Sequence, residues 1–101
     1  MENQHRKITG YRELNQQEID LMNEVKALGP QIEAVLLKVQ AHILAQRKQI
    51  SLSDTCSPDT GVELLKRLED STPERFAAMS KTEFQTGLMY LTRAVAQPTF
   101  F

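Results

Sequence analysis

Residues 22–43 read MNEVKALGPQIEAVLLKVQAHI. Apolar side chains fall at Met22, Val25, Ile32, Leu36, Val39 and Ile43, and Gly29 fills the place between Val25 and Ile32. The steps alternate three and four, which lines one side of an α-helix with a heptad seam. A strand would need apolar residues at every second position, and no such alternation competes anywhere in the chain. Pro30 disturbs the pattern, because it lacks an N–H and its ring crowds the preceding turn. Two outcomes fit: successive helices over 15–28 and 30–50, or one kinked helix. The seam keeps its phase across Gly29-Pro30, which favours the continuous helix. Glycine at a seam position would also let a neighbouring backbone come close.

Working outward from this segment, Asn15 followed by Glu18 has the form of a capping box that starts the helix. Gly10 allows a bend before it. On the far side, SLSDTCSPDTG (51–61) is polar and turn-rich and reads as the loop to a second arm. Ser57-Pro58 is a helix start, with Val62, Leu64, Leu65 and Leu68 forming an apolar face behind it. Thr72-Pro73 repeats that signal and is expected to open a short turn over 73–79. Ser80 and Glu83 then suggest another capping box, opening a last helix with Phe84, Leu88, Leu91 and Val95 on one face and Pro98 as its stop. The expected fold is all-α: an antiparallel helical hairpin with a short N-terminal arm and a broken second arm.

The chain has 101 residues, room for one domain (1–101) with a small core, which self-association would help to stabilise. Its 12 basic and 13 acidic residues leave a net charge of −1, so no global field draws it to a nucleic acid polymer or an anionic membrane, and any anion site must be local. The single Cys56 has no partner in the chain and fits a reducing cytosol. The opening HRKITGYREL lacks the apolar core of a signal peptide. No apolar run reaches the ~18–20 residues of a membrane span. The expectation is a soluble, intracellular, oligomeric protein.

Few residues offer chemistry. The two histidines, His5 and His42, stand far in sequence from Cys56, which sits in a polar loop, so a nucleophilic site finds little support. No C-x-x-C, H-E-x-x-H or calcium-loop pattern occurs, so neither metal nor cofactor is expected. His42 falls beside Ile43 and reads as a partly buried or rim histidine.

More suggestive is the opening HRKITGYRELNQQEIDLMNEVKALG (5–29), which gathers His5, Arg6, Lys7 and Arg12 around Tyr11 and then places Lys26 on the helix. As packing elements, Tyr11 would staple the arm to the helix and Lys26 would be a solvated flank. As binding elements, Tyr11 offers a face for a nucleobase and Lys26 an ammonium for a phosphate. Lys26 lies three turns into the helix, so to share a ligand with it Tyr11 must fold back or come from another subunit. A symmetric dimer would present two of each, matching a ligand with two bases and two phosphates. Arg93, in LTRAVAQP, either offsets the negative end of the last helix or contacts an anion at a subunit junction.

That opening, with the C-terminal LTRAVAQP, resembles a family of small phage proteins that counter CBASS, the cyclic-oligonucleotide immunity of bacteria. The likeness covers most of the chain and is strongest over residues 5–29. It implies a helical homohexamer acting in the cytoplasm of the infected host. Such a protein captures cyclic dinucleotides such as 3′,3′-cGAMP without cleaving them. In the G-Y-R motif of that family the tyrosine, here Tyr11, stacks on a base. In M-N-x-x-K the lysine, here Lys26, meets the phosphates. The resemblance further implies Arg12 as a cyclic dinucleotide contact and Arg93 as a contributor to a separate cyclic trinucleotide pocket. Against this stands a second class of function: an interaction module whose seam docks on a host protein.

Overall fold

The computed structural model describes residues 12–53 and 58–99. They form three helices, α1 (Gln16–Ser53), α2 (Pro58–Ser71) and α3 (Pro73–Ala96), with no strand among the described residues. The all-α hairpin is therefore the observed fold: α1 is one arm, and α2 with α3 forms the broken second arm. None of these helices is long and apolar enough to cross a membrane.

The start of α1 follows the sequence signal closely. Asn15 Oδ1 accepts the N–H of Glu18 at 2.9 Å, and Glu18 Oε1 accepts the N–H of Asn15 at 2.9 Å. Both halves of the capping box are made, satisfying two backbone donors that no turn of helix could reach. α1 then runs through Pro30 without a break. Having no N–H, Pro30 cannot donate to the carbonyl one turn back, which belongs to Lys26.

Both of the other helix junctions use proline in the same way. Thr72 and Gln97 are the non-glycine residues with positive φ, 45° and 53°, and each precedes a proline. A residue before proline is disfavoured in the right-handed region, and at Thr72 and Gln97 the helix ends. Each then gives its N–H to the carbonyl four residues back: Thr72 to Leu68 at 3.0 Å, Gln97 to Arg93 at 2.7 Å. This is the left-handed cap that glycine usually supplies.

One boundary differs from expectation. The chain does not turn over 73–79 and restart at Ser80; α3 is a single helix of 24 residues from Pro73. The Ser80 hydroxyl donates to the carbonyl of Ala77 at 2.7 Å, so the group that looked like a cap is satisfied within the helix. No glycine or proline between 74 and 83 obliges a break. The loop is also shorter than 51–61, since α1 continues to Ser53 and α2 begins at Pro58.

The chain forms two compact units, one of residues 1–31 and 84–101, the other of residues 32–83. In the first, the seam residues Met22, Val25 and Gly29 are half-buried, as are Leu88 and Val95 of α3. A β-carbon added to Gly29 would sit 3.8 Å from Leu88 Cδ1, so a side chain rather than a backbone faces this glycine. The second unit holds every buried apolar residue among those described: Ile43, Leu68 and Ala77. Arg47 of α1 grips Glu74, in the first turn of α3, through two bonds of 2.8 and 2.9 Å.

Not every seam residue is covered. Val39 is 44% exposed, although Leu36 and Ile43, its neighbours along the seam, are covered. Val62, Phe84 and Leu91 are exposed as well. His42, expected to be partly buried or at a rim, is exposed.

Candidate functional site

The first unit carries the described candidate residues Arg12, Lys26 and Arg93. Tyr11 lies outside the described residues. Lys26 is exposed on α1, about 15 Å along the axis from Gln16 at the helix start. On the helical wheel it stands beside Met22 and Gly29, on the opposite side of the seam from Leu21 and Leu28.

Arg12 occupies the entrance to α1. Its Nε–H donates to the carbonyl of Ala96 at 2.9 Å, and its Nη2 donates to that of Val95 at 2.8 Å. Both terminal nitrogens also donate to Glu18: Nη1 to Oε1 at 3.0 Å, and Nη2 to Oε2 in a close ion pair. The two carbonyls are among the last of α3, which have no donor within their own helix. Arg12 thus caps the negative end of one helix from the start of another. The Arg12 guanidinium, helped by the Asn15 backbone, holds the Glu18 carboxyl below the usual carboxylate range.

Arg93 stands in the last turn of α3 and is exposed, while its carbonyl takes the N–H of Gln97. A positive side chain there opposes the helix dipole. Arg12 and Arg93 therefore belong to the same end of the first unit, with Lys26 further along α1.

Between α1 and α3 in this unit lies a groove of about 690 Å³. Leu21, Val25 and Leu28 line one wall and Leu91, Ala94 and Val95 the other. Its ionisable residues are Glu18 and Glu24, while Lys26 and Arg93 are not in its lining. An apolar channel with acidic groups repels a phosphate dianion and suits another apolar surface. By its lining this groove is not an anion site. Among the described residues, no group of three or more His, Cys, Asp or Glu side chains could hold a metal.

Comparison with known proteins gives the family. The Acb2/Tad1 hairpin domain matches residues 3–96. This chain belongs to the Acb2/Tad1 hairpin family. It is also similar to Anti-CBASS protein 2 of Pseudomonas phage JBD67, with 43% identity over 107 residues and 97% of each chain covered. The family match spans both arms.

The clamp made by Arg12 is the feature sequence reasoning missed. A cation next to an aromatic residue invites a ligand reading, and nothing local links position 12 to positions 95 and 96. The available signal was the helix stop at Gln97-Pro98, which leaves carbonyls in need of a donor.

Proposed function

We propose that this chain is a non-enzymatic sponge for cyclic oligonucleotide messengers, with cyclic dinucleotides such as 3′,3′-cGAMP its first ligands. Holding them in the cytoplasm of the infected bacterium blocks the activation of CBASS immunity. The observation that carries this reading is the 43% identity, over nearly the full length, to a phage protein named for opposing CBASS.

The site consists of Tyr11 as base platform and Lys26 as phosphate partner, in one domain spanning residues 1–101. Stacking contributes ~1–3 kcal/mol per base and each charge-assisted phosphate contact ~1.5–3 kcal/mol. Two of each, before ordering costs, are enough for nanomolar capture at roughly −12 kcal/mol. Capture and retention need no reactive group.

Lys26 lies about 15 Å along α1 from its start at Gln16, and Arg12 and its sequence neighbour Tyr11 come before that start. A pocket completed by a second subunit joins the two chemistries more readily than one closed within a protomer. The exposed apolar residues support the same conclusion: Leu28, Phe84, Leu91 and others present surface that a homo-oligomer, in this reading a hexamer, would cover. Arg93 contributes to a separate cyclic trinucleotide pocket. Polymeric nucleic acid and membranes are not partners.

The test is recovery of intact ligand. Protein saturated with 3′,3′-cGAMP and then denatured should release it unchanged, and Tyr11→Ala and Lys26→Ala should each abolish binding while preserving the oligomer. Linear product, or full affinity in both variants, would overturn the reading. The apolar groove of the first unit favours a second reading, a module that docks on a host protein. A thermal-shift panel separates the two, because a sponge gains stability with ligand through linkage and a docking module does not.

A further inference from the structure

A guanidinium has five N–H groups. In Arg12 they meet the carbonyls of Ala96, Val95 and, at 3.5 Å, Glu13, and both carboxylate oxygens of Glu18. Two helix ends therefore converge on one side chain. α3 stops at Ala96, so the carbonyls of Val95 and Ala96 have no donor from a further turn. At the start of α1, Glu18 Oε1 accepts the Asn15 N–H of the capping box as well as the bond from Arg12. One carboxylate thus closes the first turn of α1 and holds the guanidinium that closes the last turn of α3. Glu18 and Val95 also line the apolar groove, so the same bonds join its two walls at one end.

We propose that the first turn of α1 and the last turn of α3 open and close as one unit, with Arg12 as the strap that couples them. Helix ends ordinarily fray independently and at little cost, because few bonds hold them. Here the last turn of α3 cannot unwind without pulling two carbonyls from Arg12. Unwinding the first turn of α1 displaces Glu18, the countercharge that keeps Arg12 on those carbonyls. Either opening breaks charge-assisted bonds that the other end also needs. The end of α2 is closed by local bonds instead, from the Thr72 N–H to Leu68 and from the Ser71 hydroxyl to Arg67. The inference does not depend on the ligand assigned above.

Amide hydrogen exchange on the full chain tests it, because exchange of a bonded N–H follows the local opening equilibrium. The N–H of Ile19, bonded to the Asn15 carbonyl at 3.0 Å, reports the start of α1, and that of Gln97, bonded to the Arg93 carbonyl at 2.7 Å, reports the end of α3. The Thr72 N–H is the control. Arg12→Ala should speed exchange at Ile19 and Gln97 alike, by about tenfold, and leave Thr72 unchanged. Glu18→Gln keeps an oxygen for the capping box but removes the charge facing Arg12, so a change made on α1 should also speed Gln97.

Faster exchange at one end alone in Arg12→Ala, or at neither, overturns the proposal. A wild-type rate at Gln97 in Glu18→Gln overturns it too. If Arg12→Ala loosens the whole fold, Thr72 exchanges faster as well. Arg12→Lys, which keeps the charge but loses the planar fork, then decides by the same comparison of the two ends.

Discussion

Cδ1 of Leu88 stands 3.8 Å from where a β-carbon on Gly29 would lie, an ordinary contact distance. Glycine is therefore not required there by space, and its cost in a helix interior is unrelieved. Gly29→Ala should stabilise the protein by roughly 0.5–1 kcal/mol, read as a higher urea midpoint at unchanged slope. A lower midpoint would show that something other than Leu88 presses on this position.

Thr72 carries two duties, closing α2 in a left-handed conformation and preceding the first turn of α3. A β-branched residue is poorly suited to positive φ. Asparagine tolerates that conformation and is also a strong N-cap. Thr72→Asn should raise stability by up to about 1 kcal/mol, measured by thermal or urea unfolding, whereas Thr72→Val should lower it.

Ile43 and Leu68 are only 6% and 3% exposed, in a second unit with few buried side chains. Truncating either to alanine should cost about 2–5 kcal/mol and in so small a core should abolish a cooperative unfolding transition at physiological temperature. Arg47→Ala, in the exposed pair with Glu74, should lower the midpoint far less. Circular dichroism melts rank the three.

The first-unit groove predicts concentration-dependent stability. If a second copy covers it, the melting temperature rises with protein concentration by mass action. Leu28→Asp and Leu91→Asp, one on each wall, should shift sedimentation toward smaller species. Identical sedimentation of both variants and wild type would remove the groove from the assembly surface.

Acid should loosen the protein through two carboxylates. Glu18 and Glu74 are held below the ordinary range by their arginines, Arg12 and Arg47. A lowered folded-state value contributes stability that is complete above the unfolded value of about 4.3, and that contribution is lost as pH falls through the folded value. The melting temperature should therefore fall on acidification below about pH 4.3, and less steeply in the Glu18→Gln, Glu74→Gln double variant. Equal slopes would deny these pairs any part in acid sensitivity.

Local rules made much of the fold legible. Asn15 and Glu18 announced the start of α1, Pro58 opened α2, and the phase of the seam carried α1 through Pro30. Ser80 misled because a hydroxyl can cap a helix or bond the preceding turn of one, and only the course of the chain decides between them. Val39 misled because a heptad count places a residue on a face without saying whether an arm covers it there. At the site, Lys26 was visible as an exposed cation, but Arg12 was not legible as a clamp: its partners lie at the other end of the chain, and pairings of that range are set by packing of the arms.

The bonds from Arg12 to Val95 and Ala96 bring the head and tail of the sequence under common control. Trimming the chain back past Ala94, or fusing a bulky tag hard against Gln97, would disturb an element dozens of residues upstream. An engineer who wants a handle that leaves the Arg12 bonds intact should set it on a spacer beyond Thr99, where neither carbonyl is disturbed.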